Sequence, residues 1–130
     1  MAMQPRKVLV RRLTPQDFSL FGWVLGKPPA GAEIAFENAT TDFRSEHQFY
    51  SGVGGGTEIL WVRYRDSTSA VSKLEVHHLT EQAIIPLDGD VIQVVALSNS
   101  QGAPDMATLA AFAVSNGTGV CMRPACMEAR

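Results

Sequence analysis

The stretch "LEVHHLTEQAIIPLDGDVIQVVAL" (residues 74–97) decides the fold class, because three predicted strands follow one another in it. The first is "AVSKLEVHHL" (70–79), which overlaps its start, and the second is "QAIIPL" (82–87). The third, "DVIQVVAL" (90–97), is apolar on both faces and is therefore predicted to be central in its sheet. The Asp88-Gly89 step before it predicts a tight hairpin.

Further strands are predicted on both sides of this stretch, from runs of β-branched, aromatic and other apolar residues. They cover residues 7–13, 34–36, 57–65 and 117–123. Several short strands with Gly-rich turns and little helix indicate a sandwich or small barrel. At 130 residues the chain has room for one domain, so a single mainly β domain over residues 1–130 is predicted.

Two short helical segments are also predicted. Thr14 is expected to cap a helix that begins at Pro15 and ends at Gly22. The spacing of Met106, Leu109 and Phe112 in "APDMATLAAFAV" (103–114) predicts one short helix or turn.

Composition and charge exclude several classes of partner. Hydrophobic residues make up 45% of the chain and charged residues 18%, which is typical of a globular domain. The net charge of -2 provides no basic face for nucleic acid. No apolar run approaches the roughly 18 residues of a membrane span. The C-x4-C spacing of Cys121 and Cys126 is no zinc or redox signature, so two reduced thiols in a cytoplasmic protein are expected.

A polar group interrupts the apolar pattern at residues 75–82. On a strand, residues two apart share a face, so Glu75 and His77 are expected to point the same way and His78 the other way. Gln82 follows the predicted strand and can fold back towards them. Glu, His and Gln side chains can all bind a divalent metal. The alternative is a hydrogen-bonded structural pair on a strand, and the sequence pattern leaves both open.

The spacing Glu75-x-His77-x4-Gln82-x6-Gly89 resembles the first motif of the cupin superfamily. In that motif two histidines one residue apart, a Glu or Gln, and a later Gly bind a metal inside a small β-barrel. Here Glu75 stands where the first histidine would be. The resemblance implies a metal set of Glu75, His77 and Gln82 for nickel, manganese or zinc.

Longer blocks resemble the ureidoglycolate lyase family, formerly called ureidoglycolate hydrolase. They are "LTPQDFSLFGWVL" (13–25), "LEVHHLTEQAIIPL" (74–87), "VVAL" (94–97), "PDMATLAAF" (104–112) and "GTGV" (117–120). The resemblance implies a cupin-like double-stranded β-helix and a homodimer. It also implies cleavage of ureidoglycolate, a small carboxylate, to glyoxylate and urea in the allantoin branch of purine catabolism.

The resemblance also suggests roles for individual residues. His77 is expected to be the base or a metal ligand, and Glu75 to act with it. Arg65 is expected to bind the substrate carboxylate, because an Arg follows an aromatic or polar residue at that place in the family, and Gln82 is expected to contact the substrate. An exposed strand arginine is the alternative for Arg65.

The chain departs from the family pattern in two places. The family reads Glu-Arg-His-Pro where residues 75–78 read Glu-Val-His-His, so one basic residue is replaced. The family then continues into a Trp-His segment and further strands, where this chain reads "CMRPACMEAR" (121–130). This departure predicts missing C-terminal strands and weak metal binding that is lost on purification. It leaves open a non-catalytic protein that binds a small carboxylate or dimerises.

Overall fold

Strands and one short helix make up the regular structure in the computed structural model, which describes residues 5–26, 34–65 and 69–129. The strands are β1 (Val10–Arg12), β2 (Gly22–Leu25), β3 (Ile34–Glu37), β4 (Asp42–Arg44), β5 (Leu74–Val76), β6 (Gln82–Ile84), β7 (Val91–Ser98), β8 (Pro104–Val114), β9 (Gly119–Met122) and β10 (Cys126–Ala129), and the helix is α1 (Pro15–Phe18). The prediction of a mainly β, cupin-like fold is confirmed. None of the described helices is long and apolar enough to cross a membrane.

Two sheets and a small ribbon contain these strands. The larger sheet has the order β1-β8-β7-β10-β5, the smaller sheet the order β2-β9-β6, and β3 pairs with β4. All pairs are antiparallel except β1 with β8. Strand β7 lies between β8 and β10, so its predicted central position is confirmed.

The core lies between the two sheets, because buried side chains of both belong to one cluster. Phe18 and Phe21 reach this cluster from the helix region and pack edge-on or tilted against each other and Phe112 of β8. The helix forms as predicted: Thr14 Oγ1 accepts a hydrogen bond of 3.1 Å from the Asp17 N–H and so caps its first turn.

Residues 103–114 do not form the predicted helix or turn; most of them form β8, the longest strand. Ala, Leu and Met favour helices locally, but β8 pairs with β7 along most of its length. Phe112 and Val114 are buried with Ala113 exposed between them, as expected for a strand. Tertiary pairing therefore overrides the local preference.

The predicted strand at residues 57–65 is also wrong. This segment is exposed and forms no strand, and among the described residues it pairs with no other strand. β-Branched and aromatic residues favour a strand only where a neighbouring strand accepts their backbone hydrogen bonds. Composition therefore predicted a strand here, but the described part of this chain contains no strand that pairs with it.

Two further details of the predicted topology need correction. Strands β6 and β7 lie in different sheets, so Asp88 and Gly89 join the two sheets and do not form a hairpin. Gly89 has φ +94°, which glycine adopts without steric cost. Residues 126–129, expected to leave the barrel without its closing strand, form β10 between β7 and β5.

Candidate active site and a second polar cluster

Strands β5 and β10 bring Glu75, His77 and Glu128 together, and we call these three residues the interior cluster. Glu75 and Glu128 are directly opposite each other in the antiparallel pair, so their side chains share a face. Glu128 is also opposite Val95 of β7, which is fully buried in the core. The shared face is therefore the interior face of the larger sheet.

The histidine side chain contacts both carboxylates of the interior cluster. His77 Nε2 lies 3.3 Å from Glu75 Oε1 and 4.0 Å from Glu128 Oε1. The side chains of His77 and Glu75 are 36% and 29% exposed, whereas that of Glu128 is 3% exposed. The interior cluster therefore reaches solvent through Glu75 and His77 and ends inside the protein at Glu128.

Cys126 lies two residues before Glu128 on β10. Burial, and then the negative charge of Glu128, raise the pKa of Cys126 to about 12. This thiol and that of Cys121 are both free and buried. Two carboxylates that face each other across adjacent strands repel one another when both are charged, so the interior cluster suits a bound cation.

Gln82 faces the same interior from the smaller sheet. It is opposite Met122 of β9, whose side chain belongs to the core, so the two side chains share the interior face. The buried Oε1 of Gln82 has no hydrogen-bond partner among the described residues. The amide oxygen therefore makes no hydrogen bond to Glu75 or His77, but it is an acceptor directed into the interior. A buried acceptor without a partner is a candidate ligand atom.

A cavity of about 360 Å³ lies beside Glu75, and residues 70–75 line it. Lys73 is among its lining residues and carries the positive charge there. Arg65 is exposed. Its role as carboxylate anchor stays a prediction. His78 is exposed.

The donor set of the interior cluster fits a divalent metal. One imidazole nitrogen and two carboxylate oxygens lie within 4.8 Å of one another. Such N/O sets suit manganese, nickel or zinc. Sequence reasoning missed Glu128, because it stands in the segment where the family's Trp-His pattern is replaced. The short apolar run "CMEA" (126–129), with Glu128 as its one acidic residue, was the signal for a strand with an inward carboxylate.

Three other residues, His47, Glu81 and Cys121, form a second group that we call the outer cluster. Glu81 Oε2 lies 2.5 Å from His47 Nε2 and accepts a hydrogen bond of 3.2 Å from Cys121 Sγ. Only weak signals for these residues are present in the sequence: Glu81 is the neighbour of Gln82, and Cys121 lies in the predicted last strand. Only the fold brings His47 to them.

Comparisons with known proteins agree with the resemblance in the sequence. Among curated proteins no relative of this chain was found. The family model described as Ureidoglycolate lyase matches residues 5–127, which is nearly the whole chain. On this match, with a mainly β fold and an acidic, histidine-containing site inside it, the chain belongs to the ureidoglycolate lyase family.

Proposed function

We propose that this protein cleaves ureidoglycolate to glyoxylate and urea, in the allantoin branch of purine catabolism, at the interior cluster. One observation supports this above others: Glu75 and His77, the residues that match the family motif, meet a third ionisable group, the buried Glu128. Three proton-accepting side chains on one interior face, open to solvent on one side, form an arrangement that acid–base chemistry requires.

The reaction needs one proton to move. A base takes the proton from the carbinol hydroxyl, the C–N bond breaks as the glyoxylate carbonyl forms, and the urea nitrogen takes up a proton as it leaves. His77 Nε2 lies near Glu75 Oε1 and Glu128 Oε1, so a proton that His77 takes from the substrate is stabilised by the two neighbouring carboxylates. The same group returns a proton to the urea nitrogen, and the reaction balances without another reactant.

A divalent metal fits this site, with Glu75, His77 and Glu128 as its ligands and the buried Gln82 oxygen as a further donor. A bound metal would supply a Lewis acid that stabilises negative charge on a substrate oxygen. The residues themselves orient the substrate. Glu75 and Glu128 repel the carboxylate group of the substrate, so this group is directed towards a cation. Lys73 in the adjacent cavity provides one, and Arg65 remains the proposed anchor from the family comparison.

The alternative function is binding of a small carboxylate without turnover. The replacement of the family's Trp-His pattern by Met127, Glu128 and Ala129 favours it, because this segment then provides a carboxylate, Glu128, beside His77 and no histidine. Carboxylate and imidazole differ in charge and in proton affinity, so the exchange changes the base of the site. Measurement of products separates the two functions.

The test is release of glyoxylate and urea from ureidoglycolate by the pure protein, with manganese, nickel or zinc and with a chelator. We expect the two products in equal amounts, and we expect Glu128→Gln to lower the rate on the order of 10²-fold, because a buried carboxylate becomes a neutral amide of the same size. Glu58→Gln, an exposed carboxylate in residues 57–65, is the matched control. Absence of products under every metal condition would support the binding function instead.

We also propose that the protein is a homodimer. Residues 57–65 support this, since Ile59 and Trp61 are 96% and 78% exposed in the single chain. A strand-like apolar segment without a neighbouring strand is stabilised by pairing with another chain, and two-fold dimers are the commonest assembly. Light scattering at micromolar concentration is expected to give twice the mass of one chain. The mass of a single chain would contradict the proposal.

A further inference from the structure

We propose that the outer cluster, His47, Glu81 and Cys121, is a second metal site that binds zinc. It lies apart from the interior cluster and does not depend on the proposed function. The inference rests on the placement of the three ligand atoms, on the contacts that orient them, and on the chemistry of the donor set.

The outer cluster lies on the outer face of the smaller sheet. Along β9, Val120 and Met122 belong to the core, so Cys121 between them points to the opposite face. Cys121 is opposite Ala83 of β6, and Glu81 comes two residues before Ala83, so Glu81 continues the same face. The interior cluster and Gln82 face the core. The two clusters are therefore separated by the sheet.

The chain at residues 47–50 covers this face and buries the group. Cys121 and Glu81 are 1% and 6% exposed, and the His47 side chain is 14% exposed. The Tyr50 carbonyl accepts a hydrogen bond of 2.9 Å from the Glu81 N–H. This bond holds residues 47–50 next to the start of β6. Access to the outer cluster is therefore confined to the side of His47.

The three ligand atoms converge on one point. His47 Nε2 and Cys121 Sγ both contact Glu81 Oε2, and all three atoms lie within 4.8 Å of one another. Zinc bonds of about 2.0–2.3 Å separate tetrahedral ligands by roughly 3.3–3.8 Å. Small side-chain movements therefore suffice to place an ion among the three atoms. The ion would replace the two contacts that His47 and Cys121 now make to Glu81 Oε2.

Neighbouring groups hold these ligands in orientation, as is typical around metal sites. The Tyr50 N–H donates a hydrogen bond of 3.0 Å to Glu81 Oε1, which leaves Oε2 for His47 and Cys121. The Trp23 ring stacks on the His47 ring with centroids 3.9 Å apart, and the Arg123 guanidinium lies 4.3 Å from the centre of the Trp23 ring. Imidazole and carboxylate are thus both fixed by contacts outside the cluster.

The arrangement argues against a nucleophilic cysteine. A reactive thiol needs a lowered pKa and a base that takes its proton. Burial, the hydrogen bond to Glu81 and the charge of Glu81 instead raise the pKa of Cys121 to about 12. A metal ion removes this obstacle, because a coordinated thiol is deprotonated by the charge of the ion. These contacts therefore disfavour attack of the thiol on a substrate, and it is the placement of the three ligand atoms that favours a bound cation.

The types of the three ligand atoms indicate which metal the outer cluster binds. One sulfur, one nitrogen and one oxygen suit zinc, which is borderline between hard and soft, and they leave a fourth position for water. The interior cluster has no sulfur, so cobalt(II), a spectroscopic substitute for zinc, distinguishes the two sites. Only a thiolate ligand produces a sulfur-to-cobalt charge-transfer band in the near ultraviolet.

The experiment is titration of the chelator-treated full-length protein with cobalt(II), followed by zinc. We expect a charge-transfer band at about one cobalt per chain, and we expect zinc to abolish it. Cys121→Ser should lose the band. Cys126→Ser, at the other buried cysteine, and His77→Ala, in the interior cluster, should keep it. A band that persists in Cys121→Ser, or that disappears in Cys126→Ser alone, would overturn the assignment.

A second variant keeps the proposal testable if Cys121→Ser does not fold. Glu81→Gln preserves size and should weaken cobalt binding at least roughly tenfold. Zinc should also raise the thermal midpoint of the wild-type protein more than that of Glu81→Gln, because an ion that binds only the native state stabilises it. Absence of the band in the wild-type protein would refute the second site, whether or not ureidoglycolate is cleaved.

Discussion

Replacement of His77 by alanine is expected to lower glyoxylate release from ureidoglycolate on the order of 10²–10⁴-fold, the usual contribution of a positioned acid or base. His77 Nε2 is the atom that faces both carboxylates, at 3.3 Å from Glu75 and 4.0 Å from Glu128. Its loss removes the nitrogen among the proton-accepting groups and leaves two acidic side chains facing each other. The rate should therefore fall even if substrate still binds, and steady-state kinetics should show the loss in kcat.

The matched control is the adjacent histidine. His78 is exposed and lies one position further along the chain, so His78→Ala removes the same chemical group without touching the interior cluster. We expect it to keep nearly full activity. Equal losses from His77→Ala and His78→Ala, with both proteins folded by circular dichroism, would show that Glu75 and His77 are a structural pair and no active site.

The largest effect on stability is expected for Phe112→Ala. Phe112 is fully buried, and its ring packs against Phe18 and Phe21 at centroid distances of 5.2 and 6.0 Å. Deleting such a side chain leaves a cavity and costs about 3–5 kcal/mol of unfolding free energy. Domains of this size have a total of about 5–15 kcal/mol, so the variant should be much less stable. Urea denaturation followed by circular dichroism measures the change.

An exposed phenylalanine provides the comparison. Phe43 of β4 is 56% exposed, and its ring contacts Phe36 at a centroid distance of 5.7 Å. Phe43→Ala should cost about 1 kcal/mol or less, since it loses one aromatic pair and little buried area. A loss of stability as large as that of Phe112→Ala would mean that the core is not where the three phenylalanines meet.

The elements that the sequence predicted correctly carry strong local signals. Thr14 followed by Pro15 predicts a helix start, because the cap and the fixed φ act within one turn. The continuous apolar run of β7 predicts a strand buried on both faces wherever it lies. Likewise Glu75 and His77 share a face because alternation is a property of any strand. For such features the neighbouring residues contain enough information.

The wrong predictions of secondary structure have a common cause, which is pairing between residues far apart in the chain. Residues 103–114 have helix-forming side chains, but β7 offers them a strand to pair with, and this backbone pairing with burial of Phe112 outweighs propensity. Residues 57–65 have strand-forming side chains, but no described strand forms a sheet with them. The turn at Gly89 has hairpin residues, but its two strands enter different sheets.

The sequence by itself determined the fold class, the family, and the placement of Glu75 and His77 on one face of a strand, because periodicity and motif spacing are local properties of the chain. Only the tertiary structure decided what completes that site. Strand β10 lies between β7 and β5 and so places Glu128 opposite Glu75. The tertiary structure also places His47 against Glu81 and Cys121 on the outer face of the smaller sheet. These contacts join residues far apart in the chain, and they exist because burial of the apolar faces fixes which strands are neighbours.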